Sequence, residues 1–435
     1  MQSLIKVIVM RNATISLVVL LCLFFMETGV PASQQVLVYN PAGQREDGGY
    51  VDHLLKKLMI QAGVKKPAKA GMFSGAKIEK VAISSDAVAE VNEYFYDRGW
   101  TDGLPIIPPT PEKVREMLAA TDLSPDMVIA PLEPMGGVAT VEKIAVNAVM
   151  AGCKPEYLPL LLSAVELVAA PEFDLKGLAT TTNPDVPMII VSGPISKQLA
   201  INSGANSLGR GWRANASISR ALHLIIQNVG GSWPGVTDMS TIGFPGDFAM
   251  MLAENREASP WPPLQTELGV PADANVVMLL AAEGTHSILG IGQSDTGFLN
   301  LVAAHLAGLE RPYRATMLLI IAQDTAKMLA DKGWTRETMT AYIKEHAKIP
   351  FKEYRERYLR GAIRKGVPEW VYRIKDPQTM VPSPEIGKLL ILVSGGTGEK
   401  SILIPGWYDT EIMSKEIRLP SFWEDLLQKR EALKK

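Results

Sequence analysis

Four stretches of this chain run apolar without a polar break: "PMIIVSG" from Pro187, "VVMLLAA" from Val276, "MLLIIA" from Met317 and "LLILVSGG" from Leu389. A strand with one wet face alternates, whereas a strand covered on both faces reads as a continuous run of this kind. Between these stretches apolar residues return on a helical period. "VEKIAVNAVMAG" and "PEYLPLLLSAVELVAA" meet at Gly152-Cys153-Lys154, "ASISRALHLIIQNVGG" stops at paired glycines, and "GFLNLVAAHLAGL" and "TRETMTAYIKEHAKIP" follow. "RATMLLIIAQDTAKMLADKG" predicts a strand that turns into a helix at Gln323-Asp324. Strands alternating with helices predict an α/β fold, a mixed sheet with helices on its faces. The likeness of the four apolar runs is a shared strand-to-loop pattern and not a sequence repeat. "LLILVSGGTGEKSILIPGW" predicts two strands around a glycine-rich hairpin turn.

The main domain is expected over 84–435, opening with a helix capped by Ser85 or Asp86 and a second helix with Thr110 at its N-cap and Pro111 in its first turn. Residues 35–83 predict a short arm with one strand, "QVLVY", and one helix, "YVDHLLKKLMIQAG", followed by a basic, glycine-rich linker. Residues 1–34 read as a leader. Lys6 and Arg11 precede the apolar run Ala13 to Met26, and small residues up to Ala32 suit cleavage. That run is shorter than the roughly 18 to 20 apolar residues a bilayer span needs, so no stable membrane span is expected. Two outcomes stay open: a cleaved signal peptide and a secreted or periplasmic protein, or translation from Met26 and a cytoplasmic one.

The chain has 44 Lys and Arg against 46 Asp and Glu, a formal charge of -2, which offers no broad attraction for a nucleic-acid backbone. Of its 2 cysteines, Cys22 lies in the leader. The single remaining thiol, Cys153, forms no intrachain disulfide and no cysteine-based zinc site. Helices as rich in leucine as "PEYLPLLLSAVELVAA" suit a subunit interface as well as a core, and a homo-oligomer is expected.

Several long strings have a family likeness: "DRGWTDGLPIIPPTPEKVREML", "VEKIAVNAVMAGCKPEYLPLLLSAVE", "TTTNPDVPMIIVSGPI", "INSGANSLGRGWRANASISRAL" and "FAMMLAENREASPWPPLQTELGV". Together with the C-terminal "AQDTAKMLADKGWTRETMTAYIKEHAKIP" they resemble a family of bacterial proteins related to the UGSC-type (seleno)proteins, often described as thiol-disulfide oxidoreductases. The resemblance spans Ala87 to Arg418. It implies thiol chemistry, and with one thiol in the mature chain it implies a second sulfur from a small thiol or a UGSC-type redox partner. This chain departs from the redox pattern in lacking Cys-Gly-Ser-Cys.

Cys153 is the first candidate for chemistry. At the start of the helix "PEYLPLLLSAVE", beside Lys154, a thiolate gains from the helix dipole and the nearby cation, and becomes a nucleophile. Buried filler is the alternative. In "INSGANSLGRGWRANASISR", the residues Asn202, Asn206, Arg210, Arg213, Asn215 and Arg220 resemble an anion site built from amides and guanidinium forks, or a polar loop that caps a helix. Glu254 is a candidate general base if burial raises its pKa, with a solvated helix end as the alternative. Asp102, in the loop "GWTDGLPIIPP", lines a site or caps its own turn. His286 follows a buried strand at a glycine-rich loop, the usual place for ligand contact in open α/β sheets. His223 and His305 fall on apolar helix faces and are read as core.

No histidine stands three or four residues from His286, so no metal site is expected. "SGGTGEKS" fails the phosphate-loop pattern because Glu399 separates Gly398 from Lys400 and a strand follows, so no nucleotide cofactor is expected either. The function expected is a thiol-dependent, oxidoreductase-like enzyme on a small anionic molecule, with Cys153 as reactive thiol and His286 or Glu254 moving the proton. The alternative is a solute-binding or accessory subunit in which Cys153 is buried.

Overall fold

The computed structural model describes residues 35–41, 78–83, 86–309, 315–358, 369–382, 386–408 and 410–432. The leader and the helix expected at Tyr50 to Gly63 lie outside the described residues. The expected arm strand is present as β1 (Gln35–Tyr39), and it pairs antiparallel with β2 (Ile78–Ala82). β2 has no apolar signature in the sequence, because only Val81 in "IEKVA" is buried.

Asp86 caps α1 (Ala87–Tyr96) by accepting from the N–H groups of Val88 and Ala89 at 3.0 and 3.1 Å. After it come α2 (Pro111–Leu118), the hairpin β3 (Val128–Leu132) and β4 (Gly137–Thr140), then α3 (Val141–Met150) and α4 (Leu158–Val168). β5 (Val186–Ser192) leads to α5 (Arg213–Ile225), which continues as a π-helical turn, Ile226–Gly230. The chain goes on through β6 (Met251–Ala253), β7 (Val276–Ala282), β8 (His286–Leu289), α6 (Asp295–Gly308), β9 (Ala315–Ile321), α7 (Gln323–Asp331) and α8 (Arg336–His346). A small flap follows, made of β10 (Lys348–Pro350), α9 (Phe351–Tyr358) and β11 (Met380–Pro382). The last elements are β12 (Ile386–Val393), β13 (Lys400–Pro405), β14 (Met413–Glu416) and α10 (Trp423–Ala432).

The fold is α/β with mixed sheets, but the apolar strands divide between two. One 4-stranded sheet has the order β14-β7-β5-β6 and the other β12-β9-β13-β8. Their inner faces share one core: Met188, Ile190 and Leu280 from the first meet Leu318, Leu390 and Ile404 from the second. The outer face of the first, including Ile189 and Leu279, packs on α3, α4 and α5, and that of the second, including Leu319 and Ile391, packs on α6, α7 and α8. A sheet on one face and helices on the other leave no wet face, which accounts for the unbroken apolar runs.

The two sheets repeat one topology. β5 crosses over through α5 to its parallel neighbour β6, and β7 returns antiparallel to β5. β9 likewise crosses over to parallel β12, and β13 returns antiparallel to β9. The fourth strand of each half then leaves for the other sheet, β8 pairing with β13 and β14 with β7. "SGGTGEKS" is therefore a passage over the end of β9, not the expected hairpin turn, since β12 and β13 flank β9 and do not pair. Ala282 and Gly406 bridge the halves, with Glu283 N–H donating to Pro405 O at 2.9 Å and Trp407 N–H to Ala281 O at 2.8 Å. Among the described residues no helix is long and apolar enough to cross a membrane.

Candidate active site

Cys153 stands at the exit of α3. Gly152, at φ 83°, turns the chain, and the N–H groups of Gly152 and Cys153 close on Val149 O and Ala148 O at 2.9 Å each, a Schellman ending. The residue is half-buried, and its Sγ donates to Ser217 O on α5 at 3.2 Å. Burial pushes the thiol up to about 12, against the smaller opposing effects of the Ser217 contact and the Arg220 charge. This is the environment of a protonated thiol.

The 202–220 stretch spends most of its polar groups internally. Asn215 Oδ1 accepts from Asn202 N–H at 2.8 Å, while its Nδ2 donates to Asn202 O, Ser207 O and Met251 O at 3.2 Å. Asn202 Nδ2 donates to Ala205 O at 2.9 Å. These two buried amides fasten the loop to α5 and β6. Asn206, at φ 61°, donates from Nδ2 to Arg210 O in an exposed turn, and Arg210 and Arg213 face solvent. Arg220 is bound bidentate to Asp102, Nε to Oδ2 at 2.6 Å and Nη2 to Oδ1 at 2.8 Å, and also donates to Pro105 O at 3.0 Å. Asp102 caps its own turn as well, accepting from Leu104 N–H at 3.2 Å.

Glu254 lies at the end of β6 and is 2% exposed. It is neither on a helix nor solvated. Oε2 accepts from Ser192 Oγ at 2.7 Å, and Oε1 accepts from Leu264 N–H at 2.9 Å and Arg336 Nη2 at 3.3 Å. Burial raises its pKa, opposed by those bonds and by the charge of Arg336. Glu254 thus ties β5, the 264 segment and α8 together. His286 opens β8 and is exposed on an edge strand, opposite Leu403. Cys153, Glu254 and His286 line neither of the two cavities described next.

A cavity of about 820 Å³ lies between the 99–102 loop, the start of β5, the end of α5 and the 232–248 loop. Local packing fixes its wall. Gly137 stands so close to Val229 O in the π-turn that a methyl group there has no room, and Met135 N–H donates to Gly230 O at 2.9 Å. So seated, the turn aims Gln227 Nε2 at Gly99 O and Thr101 O, at 3.0 and 2.8 Å. Asn228 Nδ2 reaches Trp100 O at 3.1 Å and Asn147 Oδ1 at 2.8 Å. Helical departures of this kind recur at functional sites.

Asp102, Asp185, Asp238, Asp247 and His223 all border this cavity. Asp247 is an exposed residue at the rim, yet desolvation of its carboxyl by the surrounding protein, opposed by the Phe244 N–H bond to Oδ2 at 3.4 Å and aided by the negative charge of Asp238, pushes it up to about 6. Burial also raises Asp238. His223 presents its ring to the wall while both ring nitrogens are sealed from solvent with no partner at hydrogen-bond geometry. Burial pulls His223 down to about 4, so the imidazole is neutral at physiological pH. From sequence His223 reads as core, and Asp238 and Asp247 carry little to single them out. Their one signal was two aspartates bracketing the glycine- and proline-bearing "MSTIGFPG".

A second cavity, about 450 Å³, takes in Asn206 and the 394–402 passage over β9. Among the described residues no group of three His, Cys, Asp or Glu side chains is placed to hold a metal ion. No protein-family model matches the chain, and no curated protein matches it.

Proposed function

We propose that the chain is an enzyme that holds a small molecule in the cavity between the 99–102 and 232–248 loops, with Asp247 as its proton-transfer group. The observation that carries this reading is the cavity itself with Asp247 on its wall: about 820 Å³ falls within the range of small-molecule sites. A carboxyl at about 6 is poised to take a proton near neutral pH and return it. His223, lowered to about 4 by burial, is neutral at physiological pH and adds no positive charge to this wall.

Thiol chemistry with a UGSC-type partner is the other proposal that the resemblance brings. A thiol near 12 that donates to a backbone carbonyl weighs against it. In our reading Cys153 serves the junction between α3 and α5. The test is a turnover screen of a metabolite mixture by mass spectrometry with the full chain. Wild type should consume at least one component, Asp247→Asn should slow that consumption about 100-fold or more, and Cys153→Ala should retain it. Equal turnover by Asp247→Asn would remove Asp247 from the chemistry.

A further inference from the structure

We infer that the ligand of this cavity is an organic cation, a molecule bearing a protonated amine next to an apolar body. The inference rests on the proposed reading of the cavity as the binding site, and it names the class of molecule that fits.

The polar side chains of the wall accept. Asp102, Asp185, Asp238 and Asp247 bring carboxylates, and no lysine or arginine is among the residues that line the cavity. Arg220, which touches Asp102, has its fork committed to that carboxylate and to the carbonyls of Leu104 and Pro105. Gln227 has given its Nε2 to Gly99 O and Thr101 O, which leaves the amide oxygen. Ser232 Oγ donates to Ala179 O at 3.3 Å, and the ring of His223 is neutral and brings no positive charge. A ligand carboxylate or phosphate would meet like charge and few free donors. An ammonium supplies the donors and the positive charge that this wall lacks.

Two further observations narrow the class. The negative charge of Asp238 helps raise the pKa of Asp247, a repulsion that a bound positive charge relieves. The rings of Trp233, Phe244 and Phe248 on the same wall supply faces that attract ammonium groups and cover an apolar body. The arginines assigned to an anion from sequence, Arg210 and Arg213, do not border the cavity.

Three probes of nearly one shape separate the possibilities: tyramine, its neutral alcohol tyrosol, and the anion 4-hydroxyphenylacetate, each titrated calorimetrically into the full chain at neutral pH. Tyramine should bind at least about tenfold more tightly than tyrosol, and the acid more weakly still. Asp247→Asn should weaken tyramine about tenfold and leave tyrosol unchanged. Pro234→Trp, which plugs the cavity from its exposed rim, should abolish both. Tyrosol or the acid binding as well as tyramine, or no probe binding at all, would overturn the cationic class. If the acid binds and Pro234→Trp removes it, the cavity reading survives without the charge. If tyramine binds Pro234→Trp as well as wild type, the cavity reading itself fails.

Discussion

Arg220 holds both carboxylate oxygens of Asp102, at 2.6 and 2.8 Å, and through them fixes the 99–105 loop to α5 at the border of the cavity. The side chains are 14% and 12% exposed, so this pair is largely removed from solvent. Taking away one partner of a buried pair strands the other. Arg220→Met should lower the unfolding free energy by about 3 kcal/mol in denaturant titrations. Combining it with Asp102→Asn should cost less than the sum of the two single changes.

Cys153 should resist iodoacetamide in the folded protein at neutral pH and react only on unfolding, read by mass spectrometry. The sign of its effect on stability follows from the same environment. The folded thiol titrates near 12 against an ordinary value near 9, so between these values only the unfolded chain loses the proton. Stability from this group is complete below pH 9 and declines as pH rises toward 12. Cys153→Ala should flatten that decline in a denaturant series run across this window.

Glu254 and Arg336 should respond unequally to substitution. The pKa of Glu254 is raised, so burial outweighs the bonds from Ser192 and Leu264 and the attraction of Arg336. Replacing the carboxylate with its neutral isostere, Glu254→Gln, should therefore cost only about 1 kcal/mol. Arg336→Met leaves the buried carboxylate without its cation and should cost about 3 kcal/mol or more at neutral pH. Its deficit should shrink in acid, where Glu254 takes up a proton. Equal losses in denaturant titrations of the two variants would contradict this ordering.

Gly137→Ala should act on the cavity from behind. An added methyl group meets Val229 O, and the π-turn that carries Gln227 must move. The expected result is a loss of about 2 kcal/mol or more together with weakened tyramine binding. Thermal denaturation and calorimetry on the same variant check both.

How much of this was legible depended on how local each feature is. The strands at Val186, Val276, Ala315 and Ile386 announced themselves, because burial on both faces leaves an unbroken apolar run. Gly152 announced the end of α3. The division into two sheets did not show, since a strand covered by helices on both faces and one covered by helices and a sheet have the same sequence. Nor did the exchange of β8 and β14, which is a pairing over more than a hundred residues. At the site, the sequence pointed to Asp102 and Arg220 separately, and only the fold makes them a pair. Asn202 and Asn215 drew attention as possible ligand contacts because buried amides that clamp a loop and amides that bind a ligand look alike in sequence. His223 was hidden for the opposite reason. A residue on the apolar face of α5 reads as core, and only the tertiary structure shows that this face borders a cavity.

The most direct test of the account is a pH titration of the Asp247 side-chain carboxyl by carbon NMR, with and without tyramine and with Asp247→Asn to assign the signal. The expected midpoint is about 6 in the free protein, with a clear fall when the amine is bound, because a positive charge beside the carboxylate favours its ionised form. A midpoint in the ordinary carboxylate range near 4, unmoved by the amine, would contradict both the proton-transfer role and the place of the ligand.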